Sequence, residues 1–251
     1  MEIHPLYSSS SGNCCKVASS EATLLIDAGV SYKKILEASE EDDLEISALF
    51  ITHEHHDHVA GAGVVGRKQG CPIYIPEESF IAKEKIFKNC DVQFIKGGDE
   101  IKVGDMLVKA YTTKHDSKAS LGYTITDTGT DKKFGYLTDS GSISKVMRVA
   151  LESCDAYFLE ADYDQQMLDD YEKYDELLKM RISGPFGHLG NHQISEYIEN
   201  DVDLGSVEWI AFGHLSSRTN TPDTVLKLMK DTFPEFESLF LIAPISEPLL
   251  L

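Results

Sequence analysis

The sequence predicts a mixed α+β protein, and three features carry that prediction. Short apolar runs, several of them β-branched or aromatic, recur along the chain and are bounded by Gly, Asp or Asn, which marks strands. Helical patterns lie between many of them. At 251 residues the chain can bury roughly 70–75% of its unfolded surface, so a core needs no staples. Turn residues are spread evenly, with no linker, repeat or low-complexity block, so residues 1–251 read as one domain.

In chain order, strands are expected at 1–6, 14–18 and 22–27, followed by a helix at 31–39. The run ALFIT gives a strand over 47–52, and a helical pattern continues over 57–69. Strands at 72–75 and 91–95 flank a helix at 77–87. Three strands then follow at 106–112, 120–127 and 133–138, and a helix at 142–151. The last third supplies a strand at 155–160, helices at 164–180 and 192–200, a strand at 207–212 and a helix at 222–231. That last helix has a strong start: Thr221 can cap it, Pro222 suits the first helical position and Asp223 the first turn. The acidic stretches 40–45 and 169–176 read as solvated faces or helix ends.

Composition narrows the function. Hydrophobic residues at 42% and charged residues at 26% are ordinary globular usage. The net charge of −19 excludes a broad basic platform for nucleic acid, so a polyanion needs a local reversal of sign. Two bound divalent cations would leave the total at about −15 but would concentrate positive charge where it acts. The five cysteines (Cys14, Cys15, Cys71, Cys90 and Cys154) form no C-x-x-C pair, which argues against a disulfide framework or a thiolate zinc site and points to a reducing cytoplasm. The N-terminal segment does not read as an export signal, and the longest apolar runs are far below a membrane span. No membrane association is expected, and no protein partner is inferable. The aromatic residues scatter through expected strands, where packing explains them better than base stacking.

The chemistry concentrates at 48–63, where an apolar strand runs into His53-x-His55-x-Asp57-His58. Four such side chains in six residues need hydrogen bonds or a metal if they are buried. His53 and His55 project to the same side of an extended segment and can chelate one ion. Asp57 and His58 point elsewhere and can hold a second, while the intervening His56 reads as exposed. Further ligand-type residues stand after downstream strands: His115, Asp139 and His214.

With ATLLIDAG and its Asp27, these residues make the chain resemble the metallo-β-lactamase superfamily along essentially its whole length. The resemblance implies a four-layer αββα sandwich. It further implies one metal held by His53, His55, His115 and Asp139, a second by Asp57, His58, Asp139 and His214, and Asp27 orienting the loop and ligands. Within the superfamily, SSSSGN at 8–13, LEADYD at 159–164, FGHLGN at 186–191 and HLSSRTN at 214–220 are similar to the YycJ/WalJ branch of predicted exonucleases. The corresponding branch segments read SGSSGN, LESNHD, GHLSN and HLSxxNN. Here Asp162 and Tyr163 replace an Asn-His pair, Gly190 replaces a Ser and Thr219 an Asn.

Physical chemistry points the same way. Ser216, Ser217, Arg218 and Asn220 put hydroxyl, guanidinium and amide donors after the ligand His214, suited to phosphate oxygens. The SSSSGN loop, with Ser11 and Asn13, offers an anion nest. His188 reads as a phosphate contact or a proton donor to the leaving oxygen, and Asn191 stands in the same substrate-contacting segment. Two ions about 3.5–4 Å apart would share a hydroxide as nucleophile and bring the pKa of bound water toward about 7. Asp57 could also orient or deprotonate that water. Histidine-rich ligation favours Zn²⁺ or Mn²⁺. The expected function is therefore a dinuclear metal-dependent phosphodiesterase, a 5′→3′ exonuclease acting on nucleic acid, DNA first. The alternatives are a phosphodiesterase of cyclic or short nucleotides, an ester, thioester or lactone hydrolase, and a metal-stabilised regulatory protein without turnover.

Overall fold

Apolar runs buried on both faces build two sheets. In the computed structural model, which describes residues 1–40 and 44–251, the first half of the chain runs β1 (Glu2–Tyr7), β2 (Cys14–Ala18), β3 (Thr23–Ile26), α1 (Tyr32–Ser39), β4 (Ala48–Phe50), α2 (His56–Val59), α3 (Ala62–Gln69), β5 (Ile73–Ile75), α4 (Glu77–Lys83) and β6 (Val92–Phe94). The second half runs β7 (Glu100–Val103), β8 (Met106–Thr112), β9 (Leu121–Asp127), β10 (Lys133–Leu137), α5 (Lys145–Leu151), β11 (Ala156–Glu160), α6 (Gln165–Asp170), α7 (Glu176–Ile182), α8 (Asn191–Asp201), β12 (Trp209–Gly213), α9 (Pro222–Thr232), β13 (Phe240–Ile242) and β14 (Leu249–Leu250). The acidic stretch 40–45 lies partly outside the described residues.

The sheets have strand orders β14-β1-β2-β3-β4-β5-β6 and β13-β12-β11-β10-β9-β8-β7. Each half of the chain begins with antiparallel pairs and turns parallel, at β3–β4 in the first sheet and at β10–β11 in the second. The alternation of side chains then makes three cores. Leu24, Ile26, Phe50, Val108, Phe158 and Ala211 fill the space between the sheets. Leu25, Leu49 and Ile73 point the other way and meet Ile35 and Val65 of the helices outside the first sheet. Tyr157, Leu159 and Ile210 meet Met147, Ile198, Val225 and Met229 outside the second. Helix, sheet, sheet and helix are thus the four layers of the expected αββα sandwich. A fully buried Ile, Leu or Phe contributes roughly 1.5–3 kcal/mol, and none of the three cores includes a histidine or aspartate.

Several expectations are corrected. The helix expected over 57–69 is two, α2 and α3, because the Gly61 amide donates to the Ala28 carbonyl at 2.7 Å and a Cβ there would lie 2.0 Å from the Val30 carbonyl. The helix expected over 164–180 is also two. Asp164 accepts from the Met167 amide and Asp175 from the Leu178 amide, so each starts its own helix. Strands β7, β13 and β14 were not expected: β7 is largely solvent-facing, and the others are three and two residues long. Among the described residues no helix is long and apolar enough to cross a membrane.

Candidate metal centre

The site lies at the carboxyl ends of strands, where open α/β sheets place their ligands. Asp27 follows β3, His53 follows β4, Asp139 follows β10, Glu160 ends β11 and His214 follows β12. Three of these leave their strands in the left-handed conformation: Asp27 (φ 60°), Asp139 (φ 54°) and His214 (φ 56°). Non-glycine residues avoid this region at a cost of about 1–2 kcal/mol, so surrounding bonds must hold them. The Asp27 amide donates to the Phe50 carbonyl at 2.8 Å, and the His214 amide donates to Ser8 Oγ at 2.7 Å.

His58, His115 and His53 are each anchored by one ring nitrogen and turn the other inward. His58 Nδ1 donates to Asp27 Oδ2 at 2.7 Å, and His115 Nδ1 donates to the Gly187 carbonyl at 3.0 Å. Asp27 is wholly buried and also accepts from the Thr52 amide and hydroxyl, each at 2.8 Å. Thr52 Oγ1 in turn lies 3.0 Å from His53 Nδ1. These contacts fix which ring nitrogen presents its lone pair to the centre.

The inward atoms converge. His115 Nε2 lies 3.2 Å from His55 Nδ1 and 3.6 Å from Asp139 Oδ1. His58 Nε2 lies 3.3 Å from Asp57 Oδ2 and 3.2 Å from Asp139 Oδ2, and His214 Nε2 lies 3.5 Å from Asp57 Oδ2 and 3.6 Å from Asp139 Oδ1. Asp139 therefore stands between a group containing His53, His55 and His115 and a group containing Asp57, His58 and His214. Donors tetrahedrally disposed around an ion at about 2.0–2.1 Å sit about 3.3 Å from one another, which is the spacing found here. His53 Nε2 is buried without a hydrogen-bond partner, an orphan that a cation in this position would satisfy. The donor set thus fits two divalent ions, with all seven residues expected from the sequence brought together.

With that geometry, comparison with known proteins is decisive. A profile described as the metallo-beta-lactamase superfamily matches residues 10–152. The chain belongs to the metallo-β-lactamase superfamily. Within it, the chain is similar to exodeoxyribonuclease WalJ of Streptococcus pneumoniae, 34% identical over 223 residues that cover 86% of this chain and 81% of the relative. It is also similar to exodeoxyribonuclease YycJ of Bacillus anthracis, 31% identical over 221 residues that cover 86% of this chain and 82% of that one. The YycJ/WalJ-like branch read from the sequence is therefore supported. The crystal structure of the metallo-β-lactamase-fold protein YhfI from Bacillus subtilis shares the fold, with a TM-score of 0.70 at 17% identity, covering 96% of this chain and 95% of that one.

The electrostatics of the metallo-β-lactamase centre suit cation binding. Burial pushes the Asp57 and Asp139 carboxyls up, but the neighbouring His214 and His58 outweigh it and hold both below the usual carboxylate range. Burial pushes His53 well down, helped by the other imidazoles, so it is neutral as a ligand must be. For His58 and His214, burial opposes protonation but the surrounding carboxylates override it and raise both rings, so an ion entering the site must displace their protons.

Sequence reasoning missed Glu160. This wholly buried carboxylate accepts from His188 Nδ1 at 2.7 Å and from the Ser140 and Leu189 amides at 2.9 and 3.2 Å, and it lies 3.3 Å from His214 Nδ1. Its signal was a lone acid closing an apolar strand inside LEADYD. Burial lowers His188, but Glu160 outweighs it and lifts the imidazole to about 9. The His188 ring stacks on His214 with centroids 5.3 Å apart.

The expected substrate contacts divide. Arg218 and Ser11 are exposed, the latter with its hydroxyl on Ser9. Asn13 is buried, and its amide donates to Asp57 Oδ2 at 3.2 Å and lies 3.1 Å from His58 Nε2, so it positions that carboxylate at the edge of the centre. Asn191 and Asn220 are also buried, and their amides bond each other at 3.0 and 2.8 Å, which leaves them tying two loops together. Ser216 Oγ accepts from the Arg218 and Thr219 amides and so forms a turn. His56 is exposed, as expected.

Two departures from the branch pattern explain each other. A Cβ at Gly190 would lie 2.8 Å from the Tyr163 ring, so the ring occupies the space a serine would need. Tyr163 Oη donates to Gln193 Oε1 at 3.0 Å and fixes the ring there. Asp162 is buried, with Oδ1 4.0 Å from His214 Nδ1; burial lifts its carboxyl to about 6 despite His188 and His214.

Proposed function

We propose that this one-domain chain is a dinuclear metal-dependent exodeoxyribonuclease of the bacterial cytoplasm, acting 5′→3′ on DNA. The observation that carries the reading is the placing of Asp139 between two donor groups, His53, His55 and His115 on one side and Asp57, His58 and His214 on the other. Similarity to exodeoxyribonucleases over most of the chain supports DNA as the substrate. Those seven side chains would hold the ions, with Zn²⁺ or Mn²⁺ favoured by a donor set rich in imidazole. When bound, two divalent ions supply Lewis acidity toward a phosphoryl oxygen and lower the pKa of water.

The chain's own groups do the rest. Asp57 is aimed by the Asn13 amide and can orient the attacking water. The water oxygen bonds to phosphorus as the phosphorus–oxygen bond to the leaving nucleotide breaks. His188, whose Nδ1 is held by Glu160, keeps Nε2 to give a proton to the departing oxygen. Exposed Arg218, on the loop after His214, can meet a neighbouring phosphate.

A time course on end-labelled, 5′-phosphorylated single-stranded DNA with added Mn²⁺ tests the reading. Stepwise shortening from the 5′ end that Asp57→Ala lacks is expected. No cleavage by protein carrying two ions would overturn the nuclease reading in favour of a small phosphodiester or an ester.

A further inference from the structure

Three backbone segments are knitted together beside the metal centre. The Gly141 amide donates to the Lys114 carbonyl at 2.8 Å, and His115 Nδ1 donates to the Gly187 carbonyl at 3.0 Å. A Cβ at Gly141 would lie 2.4 Å from the Gly187 nitrogen and 2.6 Å from the Phe186 nitrogen, so the loop after α7 is pressed directly on the loop that carries Asp139. The backbone of Phe186 is thereby fixed two residues before His188. Its ring is nevertheless 57% exposed, and Leu177 and Met180 on α7 are 78% and 68% exposed. The packing expected of aromatic residues concerned those in strands, and Phe186 lies in none.

Beside it lies a cavity of about 170 Å³ lined by Asp116, Leu178, Arg181, Ile182, Gly187 and His188. His188 lines it on the side of the centre, and Leu178, Arg181 and Ile182 line it from α7. Asp116 engages Arg181 at Nε, so the terminal nitrogens of this exposed guanidinium can turn to another acceptor. Lys114 and Lys118 are exposed on the same loop as His115. In a chain of net charge −19, Arg181 on the cavity wall and Lys114 and Lys118 on the loop that supplies Asp116 and His115 bring positive charge to this side of the site. A ring held by rigid backbone next to cations matches how proteins hold single strands, with stacking for the base and positive charge for the backbone. Since the whole molecule repels a polyanion, short contacts of this kind must supply the grip.

We propose that Phe186 is the stacking platform for a base of single-stranded nucleic acid adjoining the scissile nucleotide, and that Arg181 meets the phosphate next to it. The inference rests on the nuclease reading and names the form of its substrate. It is tested on the metal-loaded protein in two assays: anisotropy with a phosphorothioate single-stranded oligonucleotide, and hydrolysis of an unmodified oligonucleotide beside the small diester bis(p-nitrophenyl) phosphate. Phe186→Ala should weaken oligonucleotide binding and raise its KM about 5- to 100-fold, the range for one stacked base. The loss should be at least about fivefold larger for the oligonucleotide than for the small diester, and Phe186→Trp should restore binding. Arg181→Ala should flatten the slope of log affinity against log salt by about 0.7, one phosphate on a single strand. Unchanged oligonucleotide affinity in Phe186→Ala, or equal losses on both substrates, would overturn the inference. Wild-type protein that cleaves the small diester but neither binds nor cleaves the oligonucleotide would overturn it while leaving phosphodiester chemistry standing. Hydrolysis of neither would remove the nuclease reading and the platform with it.

Discussion

Asp27→Asn isolates the charge that orients His58. Asparagine has the size of aspartate and tolerates the left-handed conformation, so the φ of 60° at this position survives the change. The amide can keep its oxygen on the Thr52 amide proton, the 2.8 Å bond of the native protein. Its NH₂ group then faces His58 Nδ1, where the native carboxylate accepts at 2.7 Å. Nδ1 must become the acceptor, and the ring proton moves to Nε2. That atom lies 3.3 Å from Asp57 Oδ2 and 3.2 Å from Asp139 Oδ2, so the proton occupies the position a metal needs. Losing a charge-assisted bond costs about 1.5–3 kcal/mol, which at 1.36 kcal/mol per tenfold is roughly 10- to 100-fold in affinity. Lost outer partners of ligating histidines cost the same range. Competition with a chromophoric chelator at pH 7 measures it, with circular dichroism as the check on folding. Metal affinity within twofold of the native protein, in a folded variant, would refute the reasoning.

Other consequences follow from the same geometry. His55→Ala, Asp57→Ala and Asp139→Ala should each lose turnover by at least about a hundredfold and lower the metal content, yet stay folded because the cores lie elsewhere; near-native rates and metal content would contradict the assignment. Gly190→Ser should lose about 1–3 kcal/mol against the Tyr163 ring, or roughly 2–4 °C in Tm per kcal/mol, and adding Tyr163→His should recover most of it. Additive losses in that double variant would show that the two positions do not share space. Burial pushes the Cys71 thiol up to about 11 and the Cys154 thiol up to about 12, and Cys14 and Cys15 higher still. At pH 8 only the partly exposed Cys90 should react quickly with iodoacetamide. Labelling at Cys71 should accelerate as the pH climbs toward 11, with peptide mass spectrometry as the readout.

The sequence and the structure agree best where one residue type has one job. Strands at 14–18 and 106–112 are placed to the residue, because their apolar runs are bounded by clear turn signals. The seven positions that the structure brings together could be picked out because dense histidine and aspartate after a buried strand has few other uses. What stayed hidden depends on neighbours distant in sequence. The break at Gly61 is set by the Ala28 carbonyl, and β13 and β14 become strands only by pairing with β12 and β1. Asn13, Asn191 and Asn220 looked like ligand-facing donors, since nothing in their local sequence names Asp57 or each other as partners. Glu160 was hidden for the same reason: its partners His188 and His214 come from two later segments.

The most direct test of the two-ion centre is to strip the protein with chelator, restore Zn²⁺ or Mn²⁺ in steps, and follow bound metal by plasma mass spectrometry and DNA shortening on the same samples. Activity should rise with ion content and level off at two ions per chain, and Asp139→Ala should hold fewer. Stripped protein that shortens DNA at the full rate, or protein holding two ions that cleaves no phosphodiester, would contradict it.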